Sequence, residues 1–275
     1  MLNFLQKDVD ISHLSNFKTK AISKYYFEIA FENDIPKLTD IYDFASKNKL
    51  KVVIVATNML FAFDYFEIII KNSLYFNYDV NTKILQTYSS EPVRNIAETL
   101  EKKFQDLWHR FILPSVGLYN ACFLEMENNF LDTTVYNIST KKIEVLTKKD
   151  MNFSYRSSIL KQSKNYFIIS IRFDLSKKIE KYSSSVDNIK FREEIQPKNS
   201  CGSFFKNPSK EKSAFLIEQV LKYTYCAYFS DKHANFLMTS KDNDYKDLLY
   251  LIKKAQKEVK NKFINLINEV NIITN

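Results

Sequence analysis

Glycine is nearly absent. The 275 residues contain two, Gly117 and Gly202, where a chain of this length at ordinary usage, about 7%, would hold roughly 19. G-x-G-x-x-G needs three glycines and G-x-x-x-x-G-K-[ST] needs two that lie five residues apart, so neither string occurs. This excludes the common phosphate-cradling loops built on glycine backbone freedom. Cysteine is also scarce. Cys122, Cys201 and Cys226 form no C-x-x-C pair and no disulfide framework, which fits a reducing compartment. No long apolar run is present: the most apolar window, Val52 to Ile70, carries Asp64 and Glu67, and two acids argue against a membrane helix. The opening string MLNFLQKDVDIS has no basic segment followed by a long apolar one, so a secretory signal is not expected.

Hydrophobic residues make up 45% and charged residues 26%, the balance of a folded chain rather than a disordered one. Phenylalanine (23) and tyrosine (17) are abundant, and the net charge is +8. A basic surface suits anionic partners such as nucleic acid, a membrane surface or a phosphorylated small molecule. The plainer reading is a solvated lysine-rich surface. No run of five or six basic residues occurs, which counts against nucleic acid even though Tyr and Phe can stack on bases.

Periodicity gives an outline of the fold. Leu38, Ile41, Phe44 and Ala45 recur at helical spacing after Pro36. Lys51 to Val55 and Phe66 to Ile70 read as strands. Val93, Ile96, Ala97 and Leu100 predict a helix after Pro92. Pro114, Ser115 and Gly117 predict a turn. Ile143 and Val145 alternate with polar neighbours, as in a half-buried strand. Tyr166 to Leu175 is the strongest strand in the chain. The polar stretch from Lys177 to Asn199 reads as a domain boundary. Beyond it, Phe215, Leu216, Val220 and Leu221 suggest one helix. Tyr245, Leu248, Leu249, Ile252, Ala255, Val259 and Phe263 trace a longer one, and Ile264 to Ile273 reads as a terminal strand. The order strand–helix–strand points to an α/β or α+β unit.

The most informative segment is Ser200-Cys201-Gly202-Ser203-Phe204-Phe205-Lys206-Asn207-Pro208. A chain this poor in glycine that places one here needs its backbone freedom or a close backbone approach. A hydroxyl, an ammonium and an amide follow, and backbone donors at such a junction suit an anionic ligand. Taken alone, the segment is also compatible with an ordinary polar turn.

The longer pattern is more specific. S-C-G-S-F-F-K-N-P, then A-F-L-I-E from Ala214, S-D-K-H-A-N-F from Ser230 and N-E-V from Asn268 resembles the C-terminal part of the UDP-N-acetylenolpyruvoylglucosamine reductase family. Upstream, F-S-Y-R-S-S-I-L from Phe153 resembles that family's Y-R-x-S motif, and S-N-F-K-T-K-A from Ser15 its opening segment. The resemblance implies an α+β fold. A two-part FAD-binding module of the vanillyl-alcohol oxidase type, residues 1–72 and 73–190, would precede a substrate domain, 191–275. It implies reduction of UDP-N-acetylglucosamine enolpyruvate to UDP-N-acetylmuramate, a peptidoglycan precursor, with FAD as cofactor and NADPH as hydride donor. It also implies a cytoplasmic monomer with no metal, no nucleic acid and no membrane partner.

The resemblance carries roles residue by residue. Arg156 falls on the catalytic arginine, Ser203 on the serine that donates a proton, and Glu269 on the catalytic glutamate. Asn207 and His233 fall on positions near the substrate. A guanidinium suits charge that builds on a carboxylate during hydride addition, and a hydroxyl can deliver a proton to carbon. Glu269, among Leu266, Ile267, Val270 and Ile272, is expected to be a partly buried carboxyl with a raised pKa. The plain alternatives are a surface ion pair for Arg156, a turn serine for Ser203, a strand-edge charge for Glu269 and a structural histidine for His233.

Two loops depart from the family. Its G-x-G-S-N reads Val55-Ala56-Thr57-Asn58 here, which keeps Thr57 and Asn58 as candidate cofactor contacts without the glycines. Its I-P-G-x-x-G-G-A reads Leu113-Pro114-Ser115-Val116-Gly117-Leu118-Tyr119-Asn120. Glycine there lets backbone N–H groups reach a pyrophosphate. Two readings therefore stand: an active, divergent flavoenzyme, or a non-catalytic relative that binds a UDP-sugar without FAD.

Overall fold

Thirteen strands and four α-helices are laid out among the described residues of a computed structural model. These residues are 2–55, 59–74, 78–81, 83–91, 95–96, 129–155, 157–163, 165–176, 194, 197, 200–220, 227–239 and 244–274. The chain forms two compact units, one of residues 1–5, 26–54 and 68–188, the other of 6–25, 55–67 and 189–275. A four-stranded sheet runs in the order β1 (Gln6–Asp10), β2 (Ile22–Ile29), β5 (Tyr65–Asn72), β3 (Val52–Val55). Strand and helix content together make the fold α+β.

In the first unit, helix α1 (Lys37–Asn48) follows Pro36 and buries Leu38, Ile41 and Ala45. It ends where Lys49 turns left-handed (φ 56°), a position usually given to glycine. The same substitution recurs: Asp8, Lys18, Lys83, Lys141 and Asn152 also have positive φ. A glycine-poor chain here makes its left-handed turns with Lys, Asn and Asp, at a steric cost that glycine avoids.

The unit's larger sheet has the order β6 (Tyr78–Asn81), β7 (Ile84–Tyr88), β10 (Tyr166–Asp174), β8 (Phe130–Asn137), β9 (Lys142–Thr147). The strongest strand of the sequence, β10, is the central one, and its Phe167, Ile168, Ile169, Ile171 and Phe173 are all buried, as a strand covered on both faces requires. Edge strand β9 forms as expected, but with the opposite face covered. Ile143 is 61% and Val145 57% exposed. The cause is polar: Glu144 accepts from Asn137 Nδ2 at 3.0 Å and Thr140 Oγ1 at 2.7 Å, which turns its apolar neighbours outward. A short helix, α2 (Ile159–Gln162), precedes β10.

In the second unit, α4 (Tyr245–Lys262) starts at Asp244, whose carboxylate accepts from the Lys246 N–H. Asp247 sits in its first turn and Lys260 and Lys262 in its last, each sign matched to the helix dipole. Its buried Leu248, Leu251, Ile252, Ala255 and Val259 form one core with Leu60, Phe204, Phe205, Leu237, Leu266 and Val270, together with Leu216 and Ile217 of α3 (Ser213–Glu218). The hairpin β11 (Ala227–Ser230) and β12 (His233–Thr239) is antiparallel, and β13 (Asn271–Ile273) pairs in parallel with β4 (Met59–Phe61). The expected strand from Ile264 is thus confined to its last three residues, because 267–270 pairs with the 204–206 segment instead.

Of the helix expected from Val93 to Leu100, only 95–96 are described. The turn at 114–117 and most of 177–199 lie outside the described residues.

Candidate active site

The site is built on the Gly202 segment. Gly202 has φ +80°, and a Cβ there would meet open space within 4 Å. The glycine is needed for backbone conformation, not for room. Past it, Ser203 makes an isolated antiparallel bridge with Phe236 of β12, and Phe205 another with Asn268. A three-residue stretch is therefore held between β12 on one side and the chain after α4 on the other.

Phe204 and Phe205 anchor it. Both are fully buried, with ring centroids 5.0 Å apart in an edge-to-face pair. The Phe204 N–H donates to the Asn235 carbonyl at 2.7 Å, and the Phe204 carbonyl accepts from Glu269 N at 2.7 Å and Val270 N at 3.3 Å. Lys206 N donates to the Ile267 carbonyl at 2.8 Å. From α4, Gln256 Nε2 donates to the Leu266 carbonyl and to Asn268 Oδ1, both at 3.2 Å. The segments that carry Ser203 and Glu269, far apart in the chain, are joined through one residue, Phe204. Ser203 is half-buried, and Glu269 is buried at 7%.

His233 opens β12. Its Nδ1 accepts from Asn235 N at 3.3 Å, which puts the proton of the neutral ring on Nε2. Its ring packs edge-on against Phe236 at 4.8 Å. Burial pushes its pKa below the ordinary histidine value. Asn207 is exposed, and its Oδ1 accepts from Ser213 N at 3.1 Å, while Ser213 Oγ donates to the Lys206 carbonyl at 2.6 Å. These bonds close the loop that leads into α3. Arg156, Thr57 and Asn58 lie outside the described residues.

Sequence reasoning missed two contributors. Asn235 binds the Phe205 backbone with its carboxamide, and Asn16 Nδ2 donates to the Ser200 carbonyl at 3.0 Å. The 15–21 segment packs in this unit: Ser15 Oγ donates to the Met59 carbonyl at 2.6 Å and Thr19 Oγ1 to that of Phe61 at 2.9 Å. Asn235 stands inside the S-D-K-H-A-N-F string, and that was the available signal. Cys201 belongs to the core beside this segment. It is buried, its Sγ lies 3.9 Å from the Met59 carbonyl, and burial pushes its thiol up to about 12.

Among the described residues no helix is long and apolar enough to cross a membrane. The C-terminal domain of UDP-N-acetylenolpyruvoylglucosamine reductase matches residues 195–273, which contain Ser203, Asn207, His233 and Glu269. The reductase of that name from Campylobacter jejuni is 31% identical over 218 residues, 77% of this chain and 79% of that one. The one from Petrotoga mobilis is 31% identical over 163 residues, 55% of this chain. With several of these curated relatives the match spans only about half of their length, 51% for the Petrotoga protein. The crystal structure of the reductase from Thermus caldophilus superimposes with a TM-score of 0.74, covering 98% of this chain and 100% of that one at 15% identity, so the two share a fold. With the motif order, the overall fold and the Campylobacter relative in agreement, this chain belongs to the UDP-N-acetylenolpyruvoylglucosamine reductase family.

Proposed function

We propose that the protein is a flavin-dependent reductase. It uses NADPH to reduce the enolpyruvyl double bond of UDP-N-acetylglucosamine enolpyruvate, giving UDP-N-acetylmuramate. The observation that supports the reading is the backbone hydrogen bond from Glu269 N to the Phe204 carbonyl, which fastens the segment of the buried glutamate to the residue that follows Ser203.

Ser203 delivers a proton to the substrate carbon after hydride addition. Arg156 binds the substrate carboxylate and offsets the charge that grows on it. Glu269, removed from bulk water, assists the proton step. Asn207 and His233 bind substrate, the histidine as a neutral donor through Nε2.

Thr57 and Asn58, which fall between β3 and β4, would hold FAD. Their hydroxyl and carboxamide are donors that a diphosphate accepts from. The next residue, Met59, is fixed through its carbonyl by the Ser15 hydroxyl, which anchors the exit of this segment. When bound, FAD supplies the hydride taken from NADPH. A cytoplasmic, monomeric enzyme goes with this reading.

The test is a visible spectrum of the protein purified with FAD present, followed by an NADPH oxidation assay. A yellow protein that oxidises NADPH only when the enolpyruvyl sugar nucleotide is added supports the reading. A colourless protein that binds a UDP-sugar and oxidises nothing overturns it in favour of a non-catalytic relative.

A further inference from the structure

Asn235 lies in β12 and is buried to 2%. Four of its polar groups are engaged around the site. Its N–H donates to His233 Nδ1 at 3.3 Å. Its carbonyl accepts from Phe204 N at 2.7 Å. Its side-chain Oδ1 accepts from Phe205 N at 2.9 Å, and Nδ2 donates to the Phe205 carbonyl at 2.7 Å.

A carboxamide carries the same acceptor and donor as a peptide group. Bonded to both polar groups of Phe205, it acts as one extra peptide of strand β12. An aspartate would set a buried charge against the Phe205 carbonyl. A leucine would leave a buried N–H and C=O without partners, which is costly. Phe204, held through its N–H by Asn235, gives its carbonyl to Glu269 and Val270. A shift of Phe204–Phe205 therefore moves Ser203 on one side and Glu269 on the other.

We propose that Asn235 is a positioning residue for the proton-transfer step. Its carboxamide fixes the Phe204–Phe205 backbone, and that backbone carries Ser203 directly and holds the Glu269 segment through the Phe204 carbonyl. The assignment rests on the reductase reading above. Buried and with its carboxamide bonded to the Phe205 backbone, Asn235 acts through the main chain of its neighbours.

The experiment compares wild type, Asn235→Ala, Asn235→Ser, Ser203→Ala and the Ser203→Ala/Asn235→Ala double variant, each as flavin-loaded full chain. Expected for Asn235→Ala is a fall in kcat of about 100-fold, with KM for the enolpyruvyl substrate within about twofold. Reduction of the flavin by NADPH keeps its rate, and the solvent deuterium isotope effect on kcat rises. The double variant turns over no more slowly than Ser203→Ala, because the two changes remove one function. Wild-type kcat in Asn235→Ala, or effects that multiply in the double variant, overturns the proposal.

Amide hydrogen exchange supplies a second arm that needs no activity. In wild type, the Phe205 amide is as protected as the amides of α4. In Asn235→Ala and Asn235→Ser, the amides of Phe205 and Glu269 exchange at least about tenfold faster, while α4 is unchanged. Fast exchange of Phe205 in wild type overturns the proposal even if neither variant folds. A wild-type protein with protected Phe205 but no substrate-dependent NADPH oxidation sinks the reductase reading, and the role of Asn235 in proton transfer with it. The backbone clasp itself then stands.

Discussion

The backbone N–H of Glu269 donates to the carbonyl of Phe204 at 2.7 Å. Phe204 directly follows Ser203, so the residue next to the serine is also the tether of the glutamate's backbone. Three of the segments that carry the family's motifs thus meet on a single buried phenylalanine: the glycine turn, strand β12 and the chain after α4.

Ser203→Ala tests the chemistry most directly. Turnover should fall by about 10²–10⁴-fold, the usual contribution of a positioned proton donor. Stopped-flow absorbance should show NADPH still bleaching the flavin at the wild-type rate. A variant with full turnover would remove Ser203 from the proton step.

His233 gives the second unit a pH dependence. Its folded pKa is lowered because burial disfavours the imidazolium. Protonation also costs Nδ1 its role as acceptor for Asn235 N. The histidine's contribution to stability is whole above the unfolded value, about 6.5. It is lost as the pH falls through the lower folded value, since the unfolded chain then binds more protons. Urea midpoints measured between about pH 7.5 and 5 should decline, and His233→Gln should flatten that decline. Equal slopes in both proteins would show that another group is responsible.

Left-handed turns yield a pair of opposite predictions. Gly202→Ala should destabilise by about 1–2 kcal/mol through backbone strain alone, since its Cβ would touch nothing within 4 Å. Lys49→Gly at the end of α1 should stabilise by about 0.5–1 kcal/mol, relief of strain outweighing the added chain entropy. Denaturant titrations read both, and an unchanged midpoint for Gly202→Ala would mean that the turn does not depend on glycine.

Cys201 should resist alkylation. With its thiol pushed up to about 12 by burial, almost none is thiolate at pH 8, and thiolate is the reactive form. Site-resolved mass spectrometry after iodoacetamide treatment should find Cys201 unlabelled in native protein and labelled in urea. Rapid native labelling would mean that this core opens readily.

Much of this molecule is legible in one dimension. Helix α4 announces itself through apolar residues at helical spacing, and β10 through an unbroken apolar run, because a face or strand that must be buried dictates its own composition. The glycine turn and its flanking motifs point to the family, because strings of polar residues at fixed spacing are distinctive, and the roles of Ser203 and Glu269 are proposed from that resemblance. Other features depend on what the chain meets in space. Ile143 and Val145 alternate as if buried, yet Asn137 and Thr140 hold Glu144 and turn them outward. Residues 6–25 and 55–67 belong with 189–275, a grouping made by hydrogen bonds such as Ser15 to Met59 and Asn16 to Ser200. Asn235 reads as one more polar residue in a strand until its carboxamide is seen against Phe205. Periodic helices, apolar strands and motif strings such as α4, β10 and the Gly202 segment are written locally, since they depend on neighbours a few residues away. Only the tertiary structure decided which distant backbone each side chain serves, because a hydrogen bond between remote segments leaves no period in the chain.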